Sequence, residues 1–268
     1  MARILLTNDD GFEAVQLWEL AHALEKGNGL CIVAPHARRS WGGKAITRAG
    51  NVKCREKNVD GLEMLVCDGT PADCTLIGLG HYFPNPDLVV AGLNNGANFS
   101  HYSAFGSGTV GAALEAALHG VFGVAISSHV DNGTFHAVEQ GTMGVGEQRK
   151  LFGPAALAAA KIISLLDREK VGKLMSAGVG LLNINLPQVV SESSGWEVAS
   201  LASVEYGRLF HKTGEGEFQH RGFEYPIGAG GEGTDVCAVA RGKISITPMT
   251  LRTDYRDLGK VAGILGCK

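Results

Sequence analysis

Short runs of branched apolar residues alternate along this chain with longer stretches of helical character: 3–7, then 17–26; 30–34; 87–91, then 110–118; 123–127, then 154–166; and 179–186. Parallel strands need crossover helices, and those helices cover both faces of the sheet, so this alternation predicts a Rossmann-like α/β fold built on a parallel sheet. In the first helical stretch Leu17, Leu20, Ala21 and Leu24 recur at a spacing of three to four, and Gly27 supplies a stop.

Beyond residue 187 the character changes. A polar, glycine-rich segment at 206–233 is followed by alternating strand patterns at 236–240 and 243–247. A long structureless loop is unusual within a compact domain, so 205–233 reads as an extended hairpin, an arm of the kind that meets a partner subunit. The expectation is one domain over 1–268 with this arm appended. Hydrophobic residues make up 45% and charged residues 19%, which argues against extended disorder. No run approaches the ~18 apolar residues of a membrane span, and the opening reaches Asp9 and Asp10 too early for a signal peptide. A soluble, cytoplasmic protein without a membrane partner is expected. The net charge of −3 provides no basic field for long nucleic acid. The six cysteines contain no CxxC pair, so they read as buried free thiols.

The segment Thr7-Asn8-Asp9-Asp10-Gly11 falls where the first strand should end. Ligands of open α/β sheets bind at the carboxyl ends of the strands, and two adjacent carboxylates there repel each other until a cation relieves them. Oxygen donors favour a hard ion such as Mg²⁺ or Mn²⁺. The alternative is that Asp9 or Asp10 caps the following helix while Gly11 makes the turn. Two further strand ends carry polar loops, one with Ser40 and the other with Asn94 and Asn98. If the strands are neighbours, Asp9, Asp10, Ser40 and Asn94 converge, although each of the last two is also an ordinary turn residue. Arg38, Arg39 and Lys44 flank Ser40 and could attract phosphate, with solvated surface charge the default for at least two of them.

Gly106-Ser107-Gly108-Thr109 runs into the helical stretch and forms a phosphate seat, because N–H groups at a helix start bind anions and Ser107 and Thr109 add hydroxyls. Residues 106–111 also satisfy G-x-G-x-x-G, yet no strand feeds that turn directly, which weakens a nicotinamide-dependent oxidoreductase reading. There is no G-x-x-x-x-G-K-[ST], no G-x-S-x-G and no H-E-x-x-H. Asp68-Gly69-Thr70-Pro71-Ala72-Asp73 reads as a tight turn opening a helix, with Thr70 or Asp73 supporting it.

With these pieces in view the chain resembles the SurE family, the survival-protein-E 5′/3′-nucleotidases or acid phosphatases. The likeness rests on Ile4-Leu5-Leu6-Thr7-Asn8-Asp9-Asp10-Gly11, Ala34-Pro35 with Ser40, residues 69–74, 87–98 and 107–113, Leu182-Asn183-Ile184-Asn185-Leu186-Pro187, and Gly233-Thr234-Asp235 with Ser245-Ile246-Thr247-Pro248. It implies metal-dependent hydrolysis of nucleoside monophosphates, one divalent cation held by Asp9, Asp10, Ser40 and Asn94, and catalytic work by Asp9 and Asp10. It also implies a phosphate site at Asn8, Asn98, Ser107, Gly108 and Thr109, and homodimers or homotetramers joined partly through the arm. The chain departs from the family pattern in having Trp41 after Ser40 and Gly106 before Ser-Gly-Thr. A non-catalytic nucleotide or metal sensor that kept this site is the alternative from another class.

Overall fold

The computed structural model describes residues 1–191, 194–220 and 230–251. Its centre is six parallel strands: β1 (Arg3–Thr7), β2 (Gly29–Pro35), β4 (Leu62–Cys67), β5 (Leu88–Asn95), β6 (Phe122–Ser128) and β7 (Val179–Leu186). β3 (Cys54–Val59) pairs antiparallel with β4 at one edge. At the other, β11 (Ile244–Thr250) runs antiparallel to β7 and carries β8 (Trp196–Val198). The spatial order is β3-β4-β2-β1-β5-β6-β7-β11-β8.

Burial on both faces explains why the central strands are so apolar. Side chains alternate across the sheet, so Ile4 and Leu6 face α1 (Val15–Glu25) and α6 (Val145–Ser164), while Leu5 faces the opposite layer with Val33 and Val89. That second layer contains α2 (Pro71–Ile77) and α4 (Gly108–Leu118). Three shorter helices, α3 (Ser100–Gly106), α5 (Asn132–Glu139) and α7 (Arg168–Ser176), fill connections. α6 begins well before residue 154 and continues through Pro154. Its buried positions Gln148, Phe152, Ala155, Ala159 and Ile162 keep helical spacing from the start, but the polar first half hides that stripe in the sequence.

Two expectations are corrected. Residues 236–240 are not a strand but belong to a helix, α8 (Asp235–Ala240), whose first turn is closed by Ala238 N–H donating to the Thr234 carbonyl. Four alternating residues are too few to distinguish the two periods. The cysteines are not all free thiols, because Cys54 and Cys67 form a disulfide. The β3–β4 register sets them directly opposite each other, with Cα atoms 4.1 Å apart. Cys31, Cys74 and Cys237 are free. Within 205–233, β9 (Phe210–Gly214) and β10 (Glu217–His220) form an antiparallel hairpin, and 221–229 lie outside the described residues.

No helix among the described residues is long and apolar enough to cross a membrane. The strand order reverses at β1, which has β2 on one side and β5 on the other. A crevice therefore opens at the carboxyl ends of β1 and β5.

Candidate active site

Asp9 and Asp10 leave the end of β1 inside this crevice, and neither caps α1: that helix starts at Val15, with Ala14 at its N-cap position and no side-chain cap. Gly11 does serve the turn, at φ +97°. Asp9 is buried against the start of α4, where its Oδ1 accepts a hydrogen bond of 2.5 Å from Thr109 Oγ1. The approach is so close that a Cβ on Gly108 would stand 2.9 Å from Asp9 Oδ2. Burial and the neighbouring Asp10 charge together push the Asp9 carboxyl up to about 7.

Asp10 is gripped from other elements. Its Oδ2 accepts from Gln16 Nε2 on α1 at 2.8 Å and from the Asn95 backbone N–H on β5 at 2.9 Å. Its Oδ1 lies 3.3 Å from Arg38 Nε, and Arg38 also pairs with Glu139 at 2.9 Å. Burial raises the Asp10 carboxyl, and these donors work against the rise.

The Ser40 loop is tied to the same place through backbone. Arg39 N–H donates to the Asp9 carbonyl at 2.7 Å, and Gly43 N–H donates to the Gly106 carbonyl at 3.0 Å. Ser40 itself is exposed, one residue beyond the bond to Asp9. The Thr70–Asp73 motif anchors the far end of this loop. Thr70 and Asp73 form a capping box at α2, and Asp73 Oδ1 also accepts from Thr47 N–H at 3.0 Å. The three cations beside Ser40 are not simply solvated: Arg38 is on Asp10 and Glu139, Arg39 donates to the Asp68 carbonyl, and Lys44 pairs with Glu115.

The remaining predicted residues divide. Ser107 is the N-cap of α4, accepting from Val110 N–H at 3.1 Å, which leaves its hydroxyl hydrogen for a ligand. Thr109 is fully buried, with its hydroxyl and its backbone N–H both turned to the Asp9 carboxylate, so it supports the seat from behind rather than lining it. Asn94, at the end of β5, donates to the Gly96 carbonyl at 2.7 Å. Asn8 is buried, its amide donates to the Gly11 carbonyl, and its Oδ1 has no hydrogen-bond partner among the described residues. Asn98 is held by the ends of β6 and β7, through Ser127 Oγ and Asn185 Oδ1, both at 2.7 Å. Those bonds do not reach Asp9 or Asp10. Residues 106–111 are preceded by α3 and not by a strand, so the dinucleotide fingerprint has no structural support.

Sequence reasoning gave no role to Gln16, Asn95 or Asp235, although the last two lie in stretches that carry the family likeness. Fully buried, Asp235 accepts backbone N–H bonds from Ser100, Ala202 and Val236 and joins α3 to the segment near residue 202. Its sequence signal is its place in Gly233-Thr234-Asp235, which says nothing of the backbone groups it ties together. A separate cleft of about 510 Å³, lined by Leu30, Met64 and Phe83 among others, lies toward the start of β2, at the opposite end of the sheet.

Of the two consecutive buried carboxylates, only Asp10 pairs with a cation among the described residues, and that cation, Arg38, is also claimed by Glu139. The phosphate seat at Ser107 and Gly108 lies against Asp9, whose charge opposes an anion there. A divalent cation reconciles both, and carboxylate, hydroxyl and amide oxygens suit a hard ion, so Asp9, Asp10, Ser40 and Asn94 could hold one.

Residues 4–208 match the family described as survival protein SurE. The chain belongs to the SurE family. Among its relatives, the 5′-nucleotidase SurE of Methanoregula boonei is 34% identical, with 96% of this chain and 97% of that protein covered. The 5′-nucleotidase SurE of Archaeoglobus fulgidus is 33% identical, covering 93% and 91%. A crystal structure of the SurE protein from Aquifex aeolicus superimposes with a TM-score of 0.74 at 27% identity, over 98% of this chain and 99% of that one. SurE membership thus covers both the crevice and the sheet that builds it.

Proposed function

We propose that this SurE protein is a nucleotidase that hydrolyses the phosphomonoester of nucleoside monophosphates, with Mg²⁺ or Mn²⁺ held by Asp9, Asp10, Ser40 and Asn94. The observation that carries this reading is the buried Asp9–Asp10 pair, of which Asp9 is pressed against the start of α4, so that acidic groups and an anion seat meet in one crevice. The 5′-nucleotidase relatives support the substrate class. When bound, the ion would withdraw charge from phosphate oxygens and lower the pKa of water.

The protein's own groups then have distinct tasks. The Ser107 hydroxyl and the Gly108 N–H bind phosphate oxygens, aided by the helix dipole. Thr109 fixes the rotamer of Asp9. Both Asp10 oxygens already face donors, so Asp10 holds position, whereas Asp9 Oδ2 is the atom that can receive a proton from an attacking water. Among the described residues no side chain is set up as an activated nucleophile, so direct attack by water is the proposed route.

Assembly into dimers or tetramers through the β9–β10 hairpin belongs to the same reading. Phe210 and Phe218 lie exposed on it. The test is phosphate release from AMP and GMP before and after EDTA treatment, then with Mg²⁺ or Mn²⁺ added back. Activity lost and restored is the expected result; activity indifferent to chelation overturns the proposal.

A further inference from the structure

Beside the phosphate seat stands a wall of aromatic rings that the hydrolysis of a phosphate does not require. Trp41 lies 5.5 Å from Tyr102, and Tyr102 lies 4.8 Å from Tyr206, between ring centroids. Trp41 is half exposed, and Tyr102 is 41% exposed. The wall is built into the protein. Tyr206 Oη lies 2.8 Å from Ser100 Oγ, and Ser100 is itself fixed by its N–H bond to buried Asp235.

Trp41 is accommodated at some cost. Its backbone is left-handed, at φ +59°, a region that bulky L-residues rarely adopt. Its indole lies on Gly106, where a Cβ would stand 2.8 Å from Cε3 and Cζ3. Gly106 directly precedes Ser107, so the indole packs on the residue next to the phosphate seat.

We propose that Trp41, backed by Tyr102 and Tyr206, stacks the base of the nucleotide whose phosphate sits at Ser107, and that purine nucleotides are therefore preferred. This inference rests on the nucleotidase reading and adds to it the group that selects the substrate. Aromatic faces bind bases through stacking, and a double ring covers more of an indole than a single one. An exposed tryptophan held in a disfavoured conformation, with a glycine opposite to receive it, fits that use.

The experiment compares kcat/KM for AMP with that for ribose 5-phosphate, which carries the same phosphate and sugar without a base. Trp41→Ala should lower the AMP to ribose 5-phosphate ratio about ten-fold, mainly through KM for AMP, and Trp41→Phe should recover most of it. Gly106→Ala should lower the same ratio with Trp41 still present, by displacing the indole. AMP should also quench an indole emission that Trp41→Phe lacks, whereas ribose 5-phosphate should not. Ratios unchanged in both Trp41→Ala and Gly106→Ala overturn the inference while leaving the nucleotidase reading intact. If the wild-type protein with either metal hydrolyses neither phosphate, the nucleotidase reading fails, and the emission experiment alone then decides whether a base binds at Trp41.

Discussion

Thr109 Oγ1 donates a 2.5 Å hydrogen bond to Asp9 Oδ1, joining the first residue pair of the crevice to the first turn of α4 across 100 positions of sequence. The bond explains why Thr109 is fully buried in a segment that otherwise looks built to meet a ligand. It also holds Asp9 Oδ2 toward Gly108 and the phosphate seat.

Thr109→Val keeps the shape and removes the donor. Stability should fall by about 1–3 kcal/mol, the usual cost of leaving a buried charged acceptor without its partner. AMP hydrolysis should fall by more than ten-fold, mostly in kcat, because Asp9 is no longer oriented. Thr109→Ser retains the hydroxyl and should recover most of the rate. Urea unfolding and steady-state kinetics on the three proteins check this, and equal rates for the Val and Ser variants would contradict it.

The raised Asp9 carboxyl makes the metal-free protein sensitive to pH. Its folded value of about 7 lies above the unfolded carboxylate value of about 3.9, so the contribution is favourable below pH 4 and is lost as pH rises toward 7. The loss has an upper bound of about 4 kcal/mol. Asp9→Asn should remove it: in EDTA the variant should be more stable than wild type at pH 8, with little difference at pH 4. Adding Mg²⁺ should stabilise wild type at pH 8 and leave Asp9→Asn nearly unchanged. Denaturation midpoints at the two pH values give the answer, and parallel curves for the two proteins would defeat the argument.

How much was legible in the sequence follows from burial. β1, β5, β6 and β7 are covered on both faces, so their apolar runs stand out, and carboxylates directly after such a run mark the crevice. β3 has the sequence Cys-Arg-Glu-Lys-Asn-Val on an exposed edge and carries no such signal. Its disulfide was therefore invisible, because pairing Cys54 with Cys67 requires knowing the hairpin. The grip on Asp10 by Asn95 N–H depends on how β1 and β5 meet, which no local pattern encodes. α3, whose residues include His101, Tyr102 and Phe105, lacks an apolar stripe because three of its side chains build a surface rather than a core.

The Cys54–Cys67 disulfide closes a loop 13 residues apart in sequence and should contribute about 3 kcal/mol. Maleimide labelling in denaturant without reductant should modify Cys31, Cys74 and Cys237 and spare Cys54 and Cys67 until a dithiol is added. The double variant Cys54→Ser with Cys67→Ser should unfold at correspondingly lower urea. Cys67 also passes structure to the crevice, since His36 N–H donates to its carbonyl at 2.6 Å and the following residues carry the Ser40 loop. Labelling of Cys54 before reduction would rule the bridge out.

Asp131 provides a second pH test, at the acid end of the range. It caps α5 by accepting Thr134 N–H at 2.9 Å, and it also accepts from Thr134 Oγ1 and Gln188 Nε2. These donors hold its carboxyl down at about 2, led by the Thr134 backbone bond. A depressed carboxylate contributes stability that is present above the unfolded value of about 3.9 and lost as pH falls toward 2. Because the site is exposed, the cap itself sets the scale: Asp131→Ala should cost about 1 kcal/mol at pH 7. That gap should close between pH 4 and pH 2. Asp131→Asn keeps an oxygen for Thr134 N–H, so it should sit between the other two at pH 7 and show a flatter acid dependence than wild type. Thermal midpoints measured for the three proteins from pH 7 to pH 2.5 test the assignment, and a wild-type to Ala difference that stays constant over that range would mean the charge on Asp131 is not what the cap uses.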